Sequence, residues 1–430
     1  MISVRKRVRN SVRLIWPGGT AEQVRLRAIG KSGGAGEVLA IEDRPDHLAK
    51  IYHAAVRGPQ LARYERKIEW MIRNKPALPP IPPEYKSIVQ LAWPVALLMK
   101  ESAFAGFVME KVDFDRTMEL DYLLTRRQAA GEGFEVDFGK LVTVCCNLAS
   151  LIQCLHSNRI AVVDLKPINL KVYKSELYVS ILDCDGFHIH ADGFVSEAPQ
   201  VTPEYLAPEF HDKAVTHPEA QDRFALATII FRLLNYGIHP FAGIPAGRQP
   251  YPPELSGRIR LGLYPYGRLP TPTVRATPAS VHHCFPDSIR DLFDRSFAPA
   301  PGARTGAHEW AATLSAFANR TTEYMSRCDN GHLQFAGKPC PTCVREDIIR
   351  GHVERQKRFM TRLRTSPARA ATYMKRTLKG TRTSPFQAAL AQVPLNPLLR
   401  LAPVTMSIRN VLSIEIVWAV GLAVTYWWLK

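Results

Sequence analysis

The run Val162-Val163-Asp164-Leu165-Lys166-Pro167-Ile168-Asn169 constrains this chain more than any other stretch. Three polar side chains of different chemistry sit close together between apolar flanks. An aspartate at this place can orient an attacking hydroxyl. A lysine two residues on can neutralise a phosphoryl group in transfer, and an asparagine five residues on can hold a metal ion. The alternative is a polar surface loop, which fits poorly with apolar residues on both sides.

Other groups follow in an informative order. Asp183, in Ile181-Leu182-Asp183-Cys184-Asp185-Gly186, ends a short apolar strand and reads as a magnesium ligand; alone it would be a turn residue. Upstream lies Gly30-Lys31-Ser32-Gly33-Gly34-Ala35-Gly36-Glu37-Val38. Glycines there let the backbone approach phosphate oxygens, although an ordinary glycine turn is an equal alternative. Lys50, flanked by Ala49 and Ile51, presents its amine to one face of a strand and can hold nucleotide phosphates. A solvated edge-strand lysine is the bland alternative. Downstream come Thr202-Pro203-Glu204-Tyr205-Leu206-Ala207-Pro208-Glu209, then Asp222 and Arg304.

Periodicity sets the frame. Val24 to Tyr52 alternates apolar and polar residues, which predicts strands. Pro59 to Arg73 has helical spacing, and the prolines from Pro76 to Pro83 end it. Strands are expected at Ile88–Met99 and Ala105–Val112. A helix carrying Leu141, Val144, Leu148, Leu151, Ile152 and Leu155 follows Phe138. Short strands are expected around 160–163, 170–172 and 178–182. Asp222–Leu234 reads as a buried helix, Pro240–Pro272 as irregular, and 288–297 and 308–318 as helices. Strands first and helices later make an α+β chain with a cleft between two lobes.

With these motifs in this order, the chain resembles the eukaryotic-type protein kinases from about Val24 to Ala318. The resemblance implies a bilobal kinase fold, ATP and magnesium as cofactors, a protein substrate, and transfer of the γ-phosphoryl group to a hydroxyl. Gly33, Gly34, Gly36 and Val38 would cover the phosphates, Lys50 would bind them, and Glu65 on the following helix, with Glu69 as the alternative, would pair with Lys50. Glu110 and Val112 would form the adenine-binding hinge. Asp164 would be the catalytic base and Lys166 the phosphoryl-stabilising lysine, with Asn169 and Asp183 holding magnesium. Glu209 and Arg304 resemble a structural ion pair, and Asp222 resembles the aspartate that pins the catalytic loop. Asp-Leu-Lys-Pro-x-Asn and Thr202 are similar to the serine/threonine type. Val162-Val163 replaces the usual His-Arg, so control by loop phosphorylation is less expected. Asp183-Cys184-Asp185 replaces Asp-Phe-Gly. These departures resemble a bacterial subgroup related to helix-hairpin-helix-associated kinases.

Three further features lie outside the kinase-like stretch. Cys328, His332, Cys340 and Cys343 have the spacing C-x3-H-x7-C-x2-C, which suits tetrahedral, structural zinc. Free thiols in a loop are the alternative. The chain of 430 residues carries a formal net charge of +17, concentrated in the first residues and from about Arg345 to Arg382. That balance suits anionic lipid, nucleic acid or acidic protein partners without choosing among them, and for the second stretch a solvated helix and linker is the plain alternative to attraction to anionic lipid. The scattered remaining cysteines show no disulfide framework and fit a reducing compartment. Val411 to Leu429 carries a single charge, Glu415, in a largely apolar run, and has Tyr426, Trp427 and Trp428 at its far end. It is long enough for a transmembrane helix, or else for a buried or oligomerising one.

The expected organisation is a basic segment 1–23, an N-lobe and hinge 24–112, and a C-lobe 113–320. A zinc-knuckle-like module 325–346, a basic juxtamembrane linker 347–410 and a transmembrane helix 411–429 follow, with the kinase part on the cytoplasmic side of the cell membrane. The rival readings are a pseudokinase or nucleotide-binding scaffold, supported by the altered motifs, and a nucleic-acid-associated regulator.

Overall fold

The computed structural model describes residues 11–32, 34–191, 194–196, 201–247, 251–268, 272–319 and 323–364. The first stretch of basic residues and the apolar run 411–429 lie outside the described residues.

The chain opens with β1 (Ser11–Ile15), β2 (Ala21–Ser32), β3 (Gly36–Ile41) and β4 (Arg44–Tyr52). Helix α1 (Pro59–Arg73) follows, then β5 (Pro94–Lys100) and β6 (Ala103–Glu110). The strands close into a barrel in the order β1-β2-β3-β4-β6-β5, because β1 pairs antiparallel with both β2 and β5. Here the structure departs from the expectation of a basic lead-in up to residue 23. Val12 and Leu14 alternate with Arg13, so one face of β1 enters the barrel core beside Leu26, Leu39, Ile41, Ala49, Ala96, Leu98 and Val108.

Proline at its first position and the prolines beyond Asn74 fix the bounds of α1. Its inward stripe is Tyr64, Lys67, Ile68 and Met71, with Tyr64 half-buried and the other three buried. The Trp93 indole N–H donates to the Met71 carbonyl at 2.8 Å, which ties the C-terminal end of α1 to the segment entering β5.

The second region is mainly helical. After β7 (Thr117–Glu119) and the short α2 (Arg126–Gly131) comes α3 (Phe138–Ser157), whose start is capped by the Asp137 carboxylate accepting from the Lys140 N–H at 3.2 Å. All six apolar residues expected on its face are buried. Each contributes roughly 1.5–3 kcal/mol of transfer free energy. Small strands carry the functional turns: β8 (Ile160–Ala161), β9 (Leu170–Tyr173), β10 (Val179–Ile181), β11 (His188–Ala191) and β12 (Phe194–Ser196). They form two three-stranded sheets, β10-β9-β7 and β12-β11-β8.

Helix α4 (Pro218–Leu234) is buried almost all round. The proline-rich stretch expected to be irregular contains β13 (Gly243–Pro245) and α5 (Leu255–Arg260), and β13 pairs with β14 (Val274–Ala276). Helices α6 (Asp287–Ser296) and α7 (Ala307–Ala318) follow, and α7 packs along α3. A hairpin of β15 (Met325–Arg327) and β16 (Leu333–Phe335) is fastened to this region by Phe335, whose ring meets Phe138 at 5.2 Å and Phe317 at 5.0 Å. Helix α8 (Pro341–Arg364) belongs to a second unit, Pro341–Lys430.

The architecture is thus mixed α+β. Among the described residues one helix, α3, is long and apolar enough to cross a membrane, and most of it is buried in the protein interior.

Candidate active site

The run 162–169 lies between β8 and β9. Val163 has φ +65°, a conformation costly for a β-branched residue. What holds it is Asp222 of α4, a fully buried carboxylate. Its two oxygens accept from the backbone N–H groups of Val162 and Val163, both at 2.7 Å. His156 of α3 adds a ring nitrogen 3.1 Å from the same carboxylate.

Beyond this anchor the three polar groups converge. The Lys166 amine donates to Asp164 Oδ2 at 2.7 Å and to the Thr202 hydroxyl oxygen at 2.9 Å. The Thr202 hydroxyl donates to Asp164 Oδ1 at 2.7 Å, and its backbone N–H donates to the same oxygen at 3.0 Å. The Asn169 side-chain amide donates to the Asp164 carbonyl at 3.3 Å. The Leu182 N–H donates to the Asn169 carbonyl at 2.9 Å, which brings Asp183 beside Asn169. Asp183 is itself left-handed, at φ 54° and ψ 40°, and turns its carboxylate outward.

From the barrel comes Lys50, opposite Val38 on one side and Phe107 on the other. Gly106 makes this register possible, since a Cβ there would stand 1.9 Å from the Lys50 carbonyl oxygen. The Lys50 amine is buried. Burial alone would lower it, yet the nearby Asp185 and Asp183 carboxylates outweigh that and hold it well above its ordinary value. It donates to Asp185 Oδ1 and Oδ2 at 2.7 and 3.0 Å and to Asp183 Oδ1 at 3.4 Å.

The structure does not bring Glu65 to Lys50. Glu65 falls off the inward stripe of α1, where Tyr64 and Lys67 stand instead. Its carboxyl is raised by partial burial and by neighbouring Glu69. The Lys67 amine donates to the Phe187 carbonyl oxygen, and burial lowers it to about 8. Asp185, Lys67 and Gly106 were all missed by motif reasoning. The readable signal for Asp185 was a second acidic residue two positions after Asp183.

A cavity of about 220 Å³ unites these groups. Gly34, Ala35, Lys50, Tyr64, Asp164, Lys166, Asn169, Asp183 and Asp185 are among its lining. Gly36 and Val38 lie on β3 just behind it, and Gly36 is packed so closely that a Cβ would meet the Ile51 carbonyl oxygen at 2.4 Å. Gly33 lies outside the described residues. Glu110 ends β6 and pairs with Lys75 at 2.6 Å, and Val112 is buried just beyond; neither lines the cavity. In the helical region Arg304 donates to Glu209 Oε2 at 2.7 Å.

The ligand atoms of Cys328, His332, Cys340 and Cys343 lie within 4.8 Å of one another. Tetrahedral sulfur ligands at about 2.3 Å from zinc stand about 3.8 Å apart, so the donor set and its spread fit that ion. This Cys3His group could bind zinc.

A lysine between two aspartates above, and an aspartate, a lysine and an asparagine below, form a kinase-like arrangement. Its relatives agree. Over 306 residues the chain is 28% identical to a protein named Protein kinase YegI from Escherichia coli strain K12, covering 67% of this chain and 43% of that protein. Over 342 residues it is 27% identical to the protein of the same name from Escherichia coli O157:H7, covering 74% and 48%. The chain therefore spans less than half the length of these relatives. No family model matches it.

Proposed function

We propose that this chain is an ATP- and magnesium-dependent serine/threonine protein kinase of bilobal fold, tethered to the cell membrane through residues 411–429 with its kinase part in the cytoplasm. The observation that carries the reading is the convergence of Lys50, Asp164, Lys166, Asn169 and Asp183 on one cavity. Thr202 against Asp164 and Lys166 supports the serine/threonine assignment.

In this reading a substrate hydroxyl stands at Asp164, which accepts its proton as the oxygen bonds to the γ-phosphorus. The bond from that phosphorus to the bridging oxygen breaks, and ADP leaves with the electron pair. Lys166 offsets charge on the moving group and Lys50 offsets charge on the remaining phosphates. Gly34 and Gly36 let the backbone close over the phosphates, and Glu110 and Val112 supply the hinge for adenine. Asn169 and Asp183 would hold magnesium, which supplies charge neutralisation when bound. Catalysis is then positioning and electrostatics, with no covalent enzyme intermediate.

The Cys3His group would hold structural zinc. The basic stretch 347–410 would meet anionic lipid beside the anchor, and its competitor is nucleic acid.

The test uses the full chain in detergent with labelled ATP, a generic protein substrate and either magnesium or EDTA. Label on serine and threonine that requires magnesium is expected. Nucleotide binding without any transfer would overturn the enzyme in favour of a nucleotide-binding scaffold. Fractionation tests the tether: loss of residues 411–430 should move the protein from membranes to the soluble fraction, and unchanged sedimentation would remove the anchor. Metal analysis should find about one zinc per chain.

A further inference from the structure

Lys50 has found a carboxylate, but helix α1 does not supply it. Lys50 is 6% exposed, and its amine is gripped by both oxygens of Asp185, itself 2% exposed. Asp185 Oδ2 also accepts from the Tyr52 hydroxyl at 3.2 Å. The Tyr52 ring stacks on Tyr64 of α1 with centroids 4.5 Å apart, and Lys67 of α1 donates to the Phe187 carbonyl oxygen. Helix α1 thus meets this corner with an aromatic ring and an amine. Asp183 contributes only the longer contact at 3.4 Å, and its side chain is 62% exposed.

The two aspartates therefore divide the work. An exposed carboxylate at the cavity can face a metal ion. A buried one already accepting three hydrogen bonds from Lys50 and Tyr52 has little free oxygen surface left to offer an ion. We propose that Asp185 is the positioning residue for Lys50, standing in for the carboxylate expected from helix α1. The aim of the lysine is then set by the 183–187 turn that also carries Asp183. This inference rests on the reading of Lys50 as a nucleotide-phosphate ligand.

The consequence concerns control. Where a lysine pairs with a helix carboxylate, swinging the helix breaks the pair and switches the site off. Here a displacement of α1 carries no carboxylate away from Lys50; it acts on this corner through the Tyr64–Tyr52 stack beside Asp185 and through Lys67 on Phe187. A switch would then work through the turn that holds Asp185.

A double-mutant cycle tests this, with the full chain in detergent. The readouts are kcat for phosphate transfer and the Kd for Mg-ADP, for wild type, Lys50→Met, Asp185→Asn and the double variant. If Asp185 acts through Lys50, Asp185→Asn lowers kcat by roughly tenfold or more, and adding it to Lys50→Met costs at most about twofold further. A role confined to holding the fold would lower the melting midpoint and multiply with Lys50→Met, which would overturn the proposal. A parallel cycle with Glu65→Gln guards against misfolding of Asp185→Asn. Coupling between Glu65 and Lys50 overturns the proposal, and independence of the two supports it. Wild type that binds no Mg-ADP removes the nucleotide reading and this inference with it. Wild type that binds, with Lys50 and Asp185 independent, removes this inference alone.

Discussion

The two walls of the cavity are built in different ways. The lower wall comes from one short run, 162–169, and is stretched over a buried anchor, Asp222. The upper wall is assembled from β4, α1 and the turn at 183–187, which are distant in sequence. In the lower wall spacing along the chain is nearly the geometry, because Asp164, Lys166 and Asn169 share one turn. In the upper wall geometry depends on how a helix is rotated about its axis. A single step around that axis separates Glu65 from Tyr64, and it decides which side chain meets Lys50.

The largest expected effect breaks the lower wall chemically. Asp164→Asn keeps shape and removes the proton acceptor, so transfer should fall by about 10²–10⁴-fold. Transfer at the wild-type rate would mean the reacting groups lie elsewhere. Next is the anchor. Asp222→Ala leaves two buried N–H groups unpaired and releases Val163 from its strained conformation, and should cost about 2–5 kcal/mol in urea unfolding. A cost under about 1 kcal/mol would show that the lower wall holds its shape without α4.

The upper wall has its own weak point. Gly106→Ala forces β4 and β6 apart at Lys50, for an expected loss of about 1–3 kcal/mol with weaker nucleotide binding. Full stability in that variant would mean the strands can shift register freely, and the contrast between the walls would blur.

The smallest effect is a slope with pH, and two buried histidines of the helical region contribute to it. His239 is buried against the Glu204 carbonyl, and burial, aided by nearby Arg232, lowers it to about 3; burial lowers His282 to about 3 as well. The unfolded chain protonates these rings below about pH 6.5, while the folded chain does so only near pH 3. Proton uptake thus favours unfolding, and stability present above pH 6.5 should be lost progressively as pH falls from 6.5 towards 3. Unfolding midpoints between pH 7 and 4 should fall, and His239→Gln should flatten the trend.

What could be read from the sequence follows the same division. Helices α1, α3, α6 and α7 are legible from apolar residues at helical spacing, and α4 from a segment that is apolar almost throughout. Strand β1 was hidden among arginines, although Val12 and Leu14 carry the period-two signal. Elements β13 and α5 were obscured by prolines, which mark where regular structure ends better than where it begins. In the site, the members of the lower wall were legible as a group. Asp185 was not, because its partner is fixed by burial and by the Tyr52–Tyr64 stack, and neither is written in local spacing. The Cys3His group was legible in full, since knuckle spacing already brings Cys340 and Cys343 within reach of one ion.

Closing the barrel with β1 also has a bearing on what the protein must avoid. An open sheet here would present two hungry borders, one along β2 and one along β5, each a template for a strand from another chain. The short segment Ser11–Ile15 covers both at once. A shortened version beginning near residue 24, where the alternating pattern first becomes obvious, would strip that cover and expose the β5 border. Such a fragment should associate with itself at concentrations where the longer chain stays single. Five residues outside the apparent catalytic frame would then decide whether the frame can be handled at all.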